Sequence, residues 1–127
     1  MNEQEKSPPP QQTPLPSSAR RFDLAREIEA IRHDKALGVK AHTAVTLVKE
    51  PDLRLVLLVM KAGARLHEHK ADASVSIQAL EGLVRFRVSE RSIDLPKGSL
   101  ITLARSVVHD VEALEASALL LTLAWQR

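Results

Sequence analysis

Nine short segments of alternating apolar and polar residues follow Gly38, and turn residues separate them. A period of two residues is typical of β-strands with one buried face. Nothing between the segments resembles a crossover helix, so we expect antiparallel pairing. Antiparallel strands protect their edges by closing into a barrel or by packing as two sheets. The sequence therefore predicts an all-β fold of the jelly-roll class, with strands over Lys40–Val48, Leu53–Lys61, Arg65–His69, Val75–Leu80, Leu83–Val88, Ser92–Leu95, Ser99–Leu103, His109–Leu114 and Ala118–Ala124.

One helical pattern precedes the strands. Asp23 is suited to cap the start of this helix, and Gly38 is suited to follow its last turn. Between them the apolar residues recur at helical spacing, at Leu24, Ile28 and Ile31. We expect one short amphipathic helix over residues 21–38, lying on the outside of the domain.

The first residues are rich in proline, since five of the seven prolines fall within residues 1–16. Such a composition buries too little apolar surface to offset the entropy lost on ordering. The expected organisation is a single domain in three parts. These are a disordered tail over residues 1–20, the helix over 21–38 and the barrel over 39–127.

Charge and aromatic content argue against several classes of function. Lys and Arg total 18 against 16 acidic residues, and the aromatic residues Phe22, Phe86 and Trp125 are scattered, which disfavours nucleic-acid binding. The absence of cysteine excludes disulfides and thiolate sites. No apolar run approaches the roughly 20 residues that span a bilayer, and no secretory signal is visible. We expect a soluble, cytoplasmic protein with no nucleic-acid or membrane partner.

Histidines supply the candidate chemistry. Side chains alternate faces along a strand, so His67 and His69 should point the same way and Glu68 the other. His109 begins a later strand and completes a set of three imidazoles, a donor that binds Fe, Ni, Cu and Zn. His33 falls outside the apolar stripe of the helix and is read as a surface residue, and His42 is read as structural.

The region from Leu53 to Trp125 resembles the cupin superfamily. The first cupin motif, G-x5-H-x-H-x(3,4)-E-x6-G, is matched with small spacing shifts by Gly63, His67, His69 and Gly82. The second motif, G-x5-P-x-G-x2-H-x3-N, is matched at Gly98 and His109, whereas Ala104, Ser106 and Ala113 replace its Pro, Gly and Asn. The resemblance implies a double-stranded β-helix, the jelly-roll or cupin barrel, and metal ligation by His67, His69 and His109.

Val75 stands where the resemblance expects a glutamate ligand. Loss of this carboxylate removes negative charge that offsets a divalent cation and leaves a neutral three-nitrogen set. Asp72, in the loop after His69, is the one substitute worth testing, because strand parity turns Glu68 and Asp110 away. The identity of the metal, among Fe, Ni, Zn, Mn and Cu, stays open.

The predicted inner wall is apolar, formed on two strands by Val75, Ile77, Ala79, Val84, Phe86 and Val88. This favours a small, largely apolar ligand that chelates the metal. One hypothesis is a metal-dependent enzyme, in its oxidative form a dioxygenase-like oxidoreductase. The alternative is a non-catalytic cupin that binds a small molecule, acts as a sensor or serves in dimerisation. A homodimer is expected under either hypothesis. Catalytic residues stay unknown, because parity places the polar candidates Gln78 and Asp110 outside the barrel.

Overall fold

The computed structural model describes residues 14–126, apart from the side chains of Glu68 and His69. Most of the predicted tail, residues 1–13, therefore lies outside the described residues. The described chain forms one helix and then nine strands: α1 Leu24–His33, β1 His42–Lys49, β2 Leu53–Met60, β3 Arg65–His69, β4 Ser74–Glu81, β5 Leu83–Val88, β6 Arg91–Pro96, β7 Leu100–Leu103, β8 His109–Ala113 and β9 Ser117–Ala124.

The strands form two antiparallel sheets that pack face to face. The five-stranded sheet has the order β1-β2-β9-β4-β7, and the four-stranded sheet has the order β3-β8-β5-β6. From β2 to β9 the chain crosses repeatedly between the two sheets in the manner of a jelly roll, except that β5 and β6 form a hairpin within the four-stranded sheet, and β1 adds an edge strand beside β2. The predicted all-β jelly-roll class with one short N-terminal helix is confirmed.

The helix is shorter than predicted at its C-terminal end. Asp23 caps its start as expected, accepting the backbone N–H of Arg26 at 3.2 Å. The helix ends at Asp34, four residues before Gly38, so the assignment of Gly38 as the residue after the helix is wrong. Asp34 leaves the helical conformation because its carboxylate accepts the N–H groups of Ala36 and Leu37, at 2.8 and 3.0 Å, in a local turn.

The barrel interior is filled by apolar side chains from both sheets. The residues predicted to face inward on β4 and β5 are buried there, namely Val75, Ile77, Ala79, Val84 and Phe86, with Val88 packed beside them. On the same strands Gln78 and Arg87 are exposed. The period-two assignment of faces therefore holds across the centre of both sheets.

Strand β2 is buried on both faces, which explains its nearly continuous apolar sequence. Its even-numbered residues Leu58 and Met60 belong to the barrel core. Its odd-numbered residues Leu57 and Val59 form a second core with Ile28 and Ile31 of α1 on the outside of the five-stranded sheet. In residues 14–126 no helix is long and apolar enough to cross a membrane.

Candidate functional site

Two loops meet at one end of the barrel, which we call the His109 end. There β3 ends at His69, β4 begins at Ser74 and β8 begins at His109. The loop after β3 and the loop before β8 are joined by the N–H of Ser106, which donates to the carbonyl of Ala71 at 2.9 Å. The backbone thus brings the predicted site residues of β3 and β8 to the same end of the fold.

His109 is oriented by its own loop. It is only 5% exposed, and its Nδ1 lies 3.0 Å from the carbonyl oxygen of Val107. Because a carbonyl can only accept, this contact places the proton on Nδ1 and the lone pair of the neutral ring on Nε2. The ring also packs near Phe86, with centroids 6.4 Å apart. Such a fixed tautomer is the usual state of a histidine that ligates a metal through Nε2.

The H-x-H pair lies on an irregular part of β3. Leu66 pairs with Val111, and the next recorded pair is His69 with His109, so the register shifts between Leu66 and His69. A bulge of this kind interrupts the strict alternation of faces. Spacing alone therefore does not decide whether His67, which is exposed, shares a face with His69.

The complete three-histidine site stays a prediction, because the side chain of His69 lies outside the described atoms. Among the side chains that are described, no group of three or more His, Cys, Asp or Glu residues could hold a metal ion. The buried ring of His109, oriented by the Val107 carbonyl, fits an imidazole ligand. An all-nitrogen donor set of this kind fits Fe, Ni, Cu or Zn better than Mn, which favours oxygen ligands.

The acidic residues near this end are engaged elsewhere. Asp72, the candidate substitute ligand, has a side chain that is 83% exposed and pairs with Arg105 at 3.1 Å. Asp110 faces outward as predicted and contacts Arg65 at 3.4 Å, although its neighbours on the sheet leave it only 8% exposed. Val75 is buried on the inner face. Neither Asp72 nor Asp110 therefore replaces the glutamate ligand that the resemblance to cupins implies.

The open space beside His109 is more polar than the predicted inner wall. A cleft of about 840 Å³ lies along the ends of β5, β6 and β8, and Arg87, Glu90, Ser92, Val107, His109 and Asp110 are among the residues that line it. The barrel interior is packed, so this space opens toward the outer side of the four-stranded sheet. The inner wall itself is apolar as predicted, and the polar cleft is a separate space that the sequence did not indicate.

Sequence reasoning missed one charged residue on the inner face, Arg54. It lies four residues before Leu58 on β2, and β2 pairs with β9 without a register shift. Arg54 therefore shares the inner face with Leu58 and Met60. The sequence did contain a signal for this position. On a strand that is otherwise apolar, Arg54 has the same parity as Val56, Leu58 and Met60.

The fold is similar to several solved structures. A conserved protein of unknown function from Streptococcus pyogenes superposes with a TM-score of 0.70 and 22% identity, covering 86% of this chain and 90% of that one. A cupin superfamily protein from Desulfitobacterium hafniense gives a TM-score of 0.70 and 17% identity, with coverage of 88% and 95%.

Salicylate 1,2-dioxygenase from Pseudoaminobacter salicylatoxidans gives a TM-score of 0.73 and 17% identity over 81% of this chain, which spans 32% of that enzyme. No family model matches the chain, and no curated protein does. At these identities the likeness concerns the fold, and it confirms the predicted cupin barrel.

Proposed function

We propose that this chain, which has the cupin fold, binds one divalent transition metal at the His109 end through His67, His69 and His109. The proposal rests chiefly on His109, whose buried ring is held by the Val107 carbonyl in the tautomer that leaves Nε2 as the ligating atom. The backbone pairing of His69 with His109 supports it by placing two of the three residues on neighbouring strands.

When bound, such a metal would supply Lewis acidity or oxygen chemistry. The described residues contribute the shape and polarity of the site. The Val107 carbonyl orients His109, and the packed interior keeps water from the inner side of the ring. The substrate class we propose is a small, largely apolar chelating molecule. The fold likeness to salicylate 1,2-dioxygenase supports an oxidative reaction among the possible ones.

Metal content per chain is the direct test. Elemental mass spectrometry is applied to untagged wild type, to His67→Ala and to His109→Ala. The matched control is His33→Ala, since the side chain of His33 is 79% exposed on α1. We expect near-stoichiometric metal in wild type and in the control, and its loss in the other two variants. Protein that holds no metal and takes up none on reconstitution contradicts the proposal.

The dependence of metal affinity on pH is a second test of the same site. Ligation requires neutral imidazoles, which have an ordinary pKa of about 6.5. Metal affinity measured by competition with a coloured chelator should therefore fall as pH is lowered through that range. Occupancy that is unchanged down to about pH 4 is inconsistent with histidine ligands.

A non-catalytic cupin is the second candidate function, and Val75 favours it. The position that the resemblance assigns to glutamate is apolar and buried, and neither described aspartate nearby replaces it. Such a protein would bind a small molecule, act as a sensor or serve as a dimerisation module. Ligand binding that persists after the metal is removed with a chelator would favour this function over the enzymatic one.

We also propose a homodimer in the cytoplasm. The outer face of edge strand β7 carries Leu100, which is 56% exposed, and an exposed strand edge with an apolar side chain is suited to pairing with a second copy. Light scattering after size exclusion should give twice the chain mass of 14.0 kDa. A monomer contradicts the dimer, and cell fractionation tests the location.

A further inference from the structure

Arg54 lies in a row of residues that crosses the five-stranded sheet at the His109 end. Its cross-strand partner on β9 is Leu123, and the partner of Leu123 on β4 is Val75. Strands are spaced by about 4.8 Å, so Arg54 is roughly 10 Å from Val75 along the inner face. A cation therefore lies on the inner face at the same end of the barrel as His109.

The guanidinium of Arg54 is held in place by Trp125. The two are stacked, with the central carbon of the guanidinium 5.1 Å from the ring centroid. Trp125 is itself fixed, because its backbone N–H donates to the carbonyl of Asp52 at 3.1 Å. A stacked arginine keeps its planar array of N–H donors, and that array matches a carboxylate.

Arg54 has a donor that the described protein does not satisfy. Its Nε is inaccessible to solvent and has no hydrogen-bond partner among the described residues. Within the same residues no ion pair joins Arg54 to a carboxylate. Because Nε is closed off, an external anion would reach the terminal nitrogens of the guanidinium, which no carboxylate of the described residues pairs with.

The charges of the neighbouring residues indicate which kind of anion Arg54 would bind. Lys49 on β1 is the direct cross-strand partner of Arg54, and like charges in that arrangement repel each other. Both residues line a cavity of about 580 Å³ together with Glu50, Pro51, Trp125 and Gln126. With two cations and one carboxylate the cavity is suited to a monoanion, and Pro51 and Trp125 offer apolar surface beside it.

We infer that Arg54 and Lys49, beside Trp125, form a binding site for the carboxylate of a small organic acid with an apolar body. This site does not depend on the metal proposed above, since its residues are distinct from the three histidines. The charge-assisted hydrogen bond from Arg54 is its main specific contact.

Benzoate is a suitable probe, and the protein carries its own reporter. Trp125 is the only tryptophan and the chain has no tyrosine, so intrinsic fluorescence reports on the ring that stacks with Arg54. Full-length protein is titrated with benzoate at constant ionic strength, with and without a metal chelator. We expect a saturable change in fluorescence under both conditions, and a saturable shift of the Arg54 Nε–H resonance in nitrogen–proton spectra.

Variants and matched ligands distinguish a carboxylate site from general ion binding. Arg54→Met should weaken benzoate binding about tenfold or more, the loss expected for one charge-assisted hydrogen bond. Arg91→Met is the control, because Arg91 is an exposed arginine of the other sheet and lines neither cavity. It should leave benzoate binding unchanged. Benzamide, which has the same shape without the charge, should bind at least about tenfold more weakly than benzoate.

Several results would overturn the assignment. One is the absence of a saturable change in both the fluorescence and the Nε–H resonance, and another is equal affinity for benzoate and benzamide. Phosphate binding as tightly as benzoate would show a general oxyanion site instead. If Arg54→Met does not fold, Arg54→Lys keeps a cation but not the planar donors, and undiminished benzoate affinity in that variant refutes the role of Arg54.

Discussion

The substitution Val75→Glu tests whether Val75 lies beside the metal. Val75 is 7% exposed, and its partners on the neighbouring strands are Leu123 and Leu103. Removing a buried valine side chain costs about 1.5–3 kcal/mol, and burying an unsatisfied carboxyl costs about 1–3 kcal/mol more. We therefore expect the metal-free variant to lose about 2.5–6 kcal/mol of unfolding free energy.

A metal should reverse much of this loss if the introduced carboxylate reaches it. A ligand that raises metal affinity about 100-fold adds about 2.7 kcal/mol of stability at saturating metal. Urea unfolding followed by circular dichroism is measured with a chelator and with excess Mn²⁺ or Zn²⁺. Val75→Gln is the matched control, since it has the same size and polarity without the charge. We expect the metal to stabilise Val75→Glu by about 2–3 kcal/mol more than Val75→Gln.

Equal stabilisation of both variants by the metal would refute the placement of Val75 beside it. An equal response would mean that the residue at position 75 is not within reach of the metal, whatever the histidines do. A larger gain with Mn²⁺ than with Zn²⁺ would further agree with the addition of an oxygen ligand to a nitrogen set.

Three further predictions concern the backbone and the surface. Gly82 and Gly98 have φ of 82° and 91°, but an added Cβ meets backbone only at Gly82. Gly98→Ala should therefore cost about 1–2 kcal/mol in urea unfolding, and Gly82→Ala clearly more. Ser106, with φ of 65°, should gain up to about 1 kcal/mol when changed to Gly. A hydrogen bond from exposed Arg85 lowers the pKa of Asp94, and the stabilisation linked to this shift is present above the unfolded-state pKa and lost as pH falls through the folded-state value. Arg85→Met should move the pKa of Asp94 up toward 3.8 in an NMR titration and leave melting at neutral pH nearly unchanged.

Most strands could be predicted because they carry a period-two pattern that burial enforces, and β2 because its apolar run is short and bounded by turn residues. The end of the helix could not be read in the same way. Gly38 is the usual signal for a helix end, but Asp34 ends the helix earlier through its own side-chain hydrogen bonds to Ala36 and Leu37. Both Asp34 and Gly38 can end a helix, and the sequence alone does not show which of them ends this one.

The second motif illustrates how a backbone feature can persist without its usual residue. Ser106 occupies a position where the resemblance expects glycine, and it adopts the positive φ that glycine favours. The turn is held by the contact between its N–H and the carbonyl of Ala71 in the facing loop. Tertiary contact thus preserves a geometry that the local sequence does not indicate.

The candidate site was harder to predict than the fold. The inference that His67 and His69 share a face assumed a regular strand, but the register shift in β3 depends on pairing with β8, which no local pattern records. Arg54 was missed for the opposite reason. Its strand is regular, but its significance depends on Trp125, which follows β9, and on Lys49 of β1.

The proposed metal site and the proposed carboxylate site both place positive charge at the His109 end. Neutral imidazoles do not offset a divalent cation, and Val75 contributes no carboxylate on the inner face. Arg54 adds a further positive charge in the same row of the sheet as Val75. An inner face with these charges favours an anionic ligand over a neutral one. A carboxylate bound at Arg54 does not require the metal, but the negative charge that it adds to this end of the barrel should make each ligand bind more tightly when the other is present.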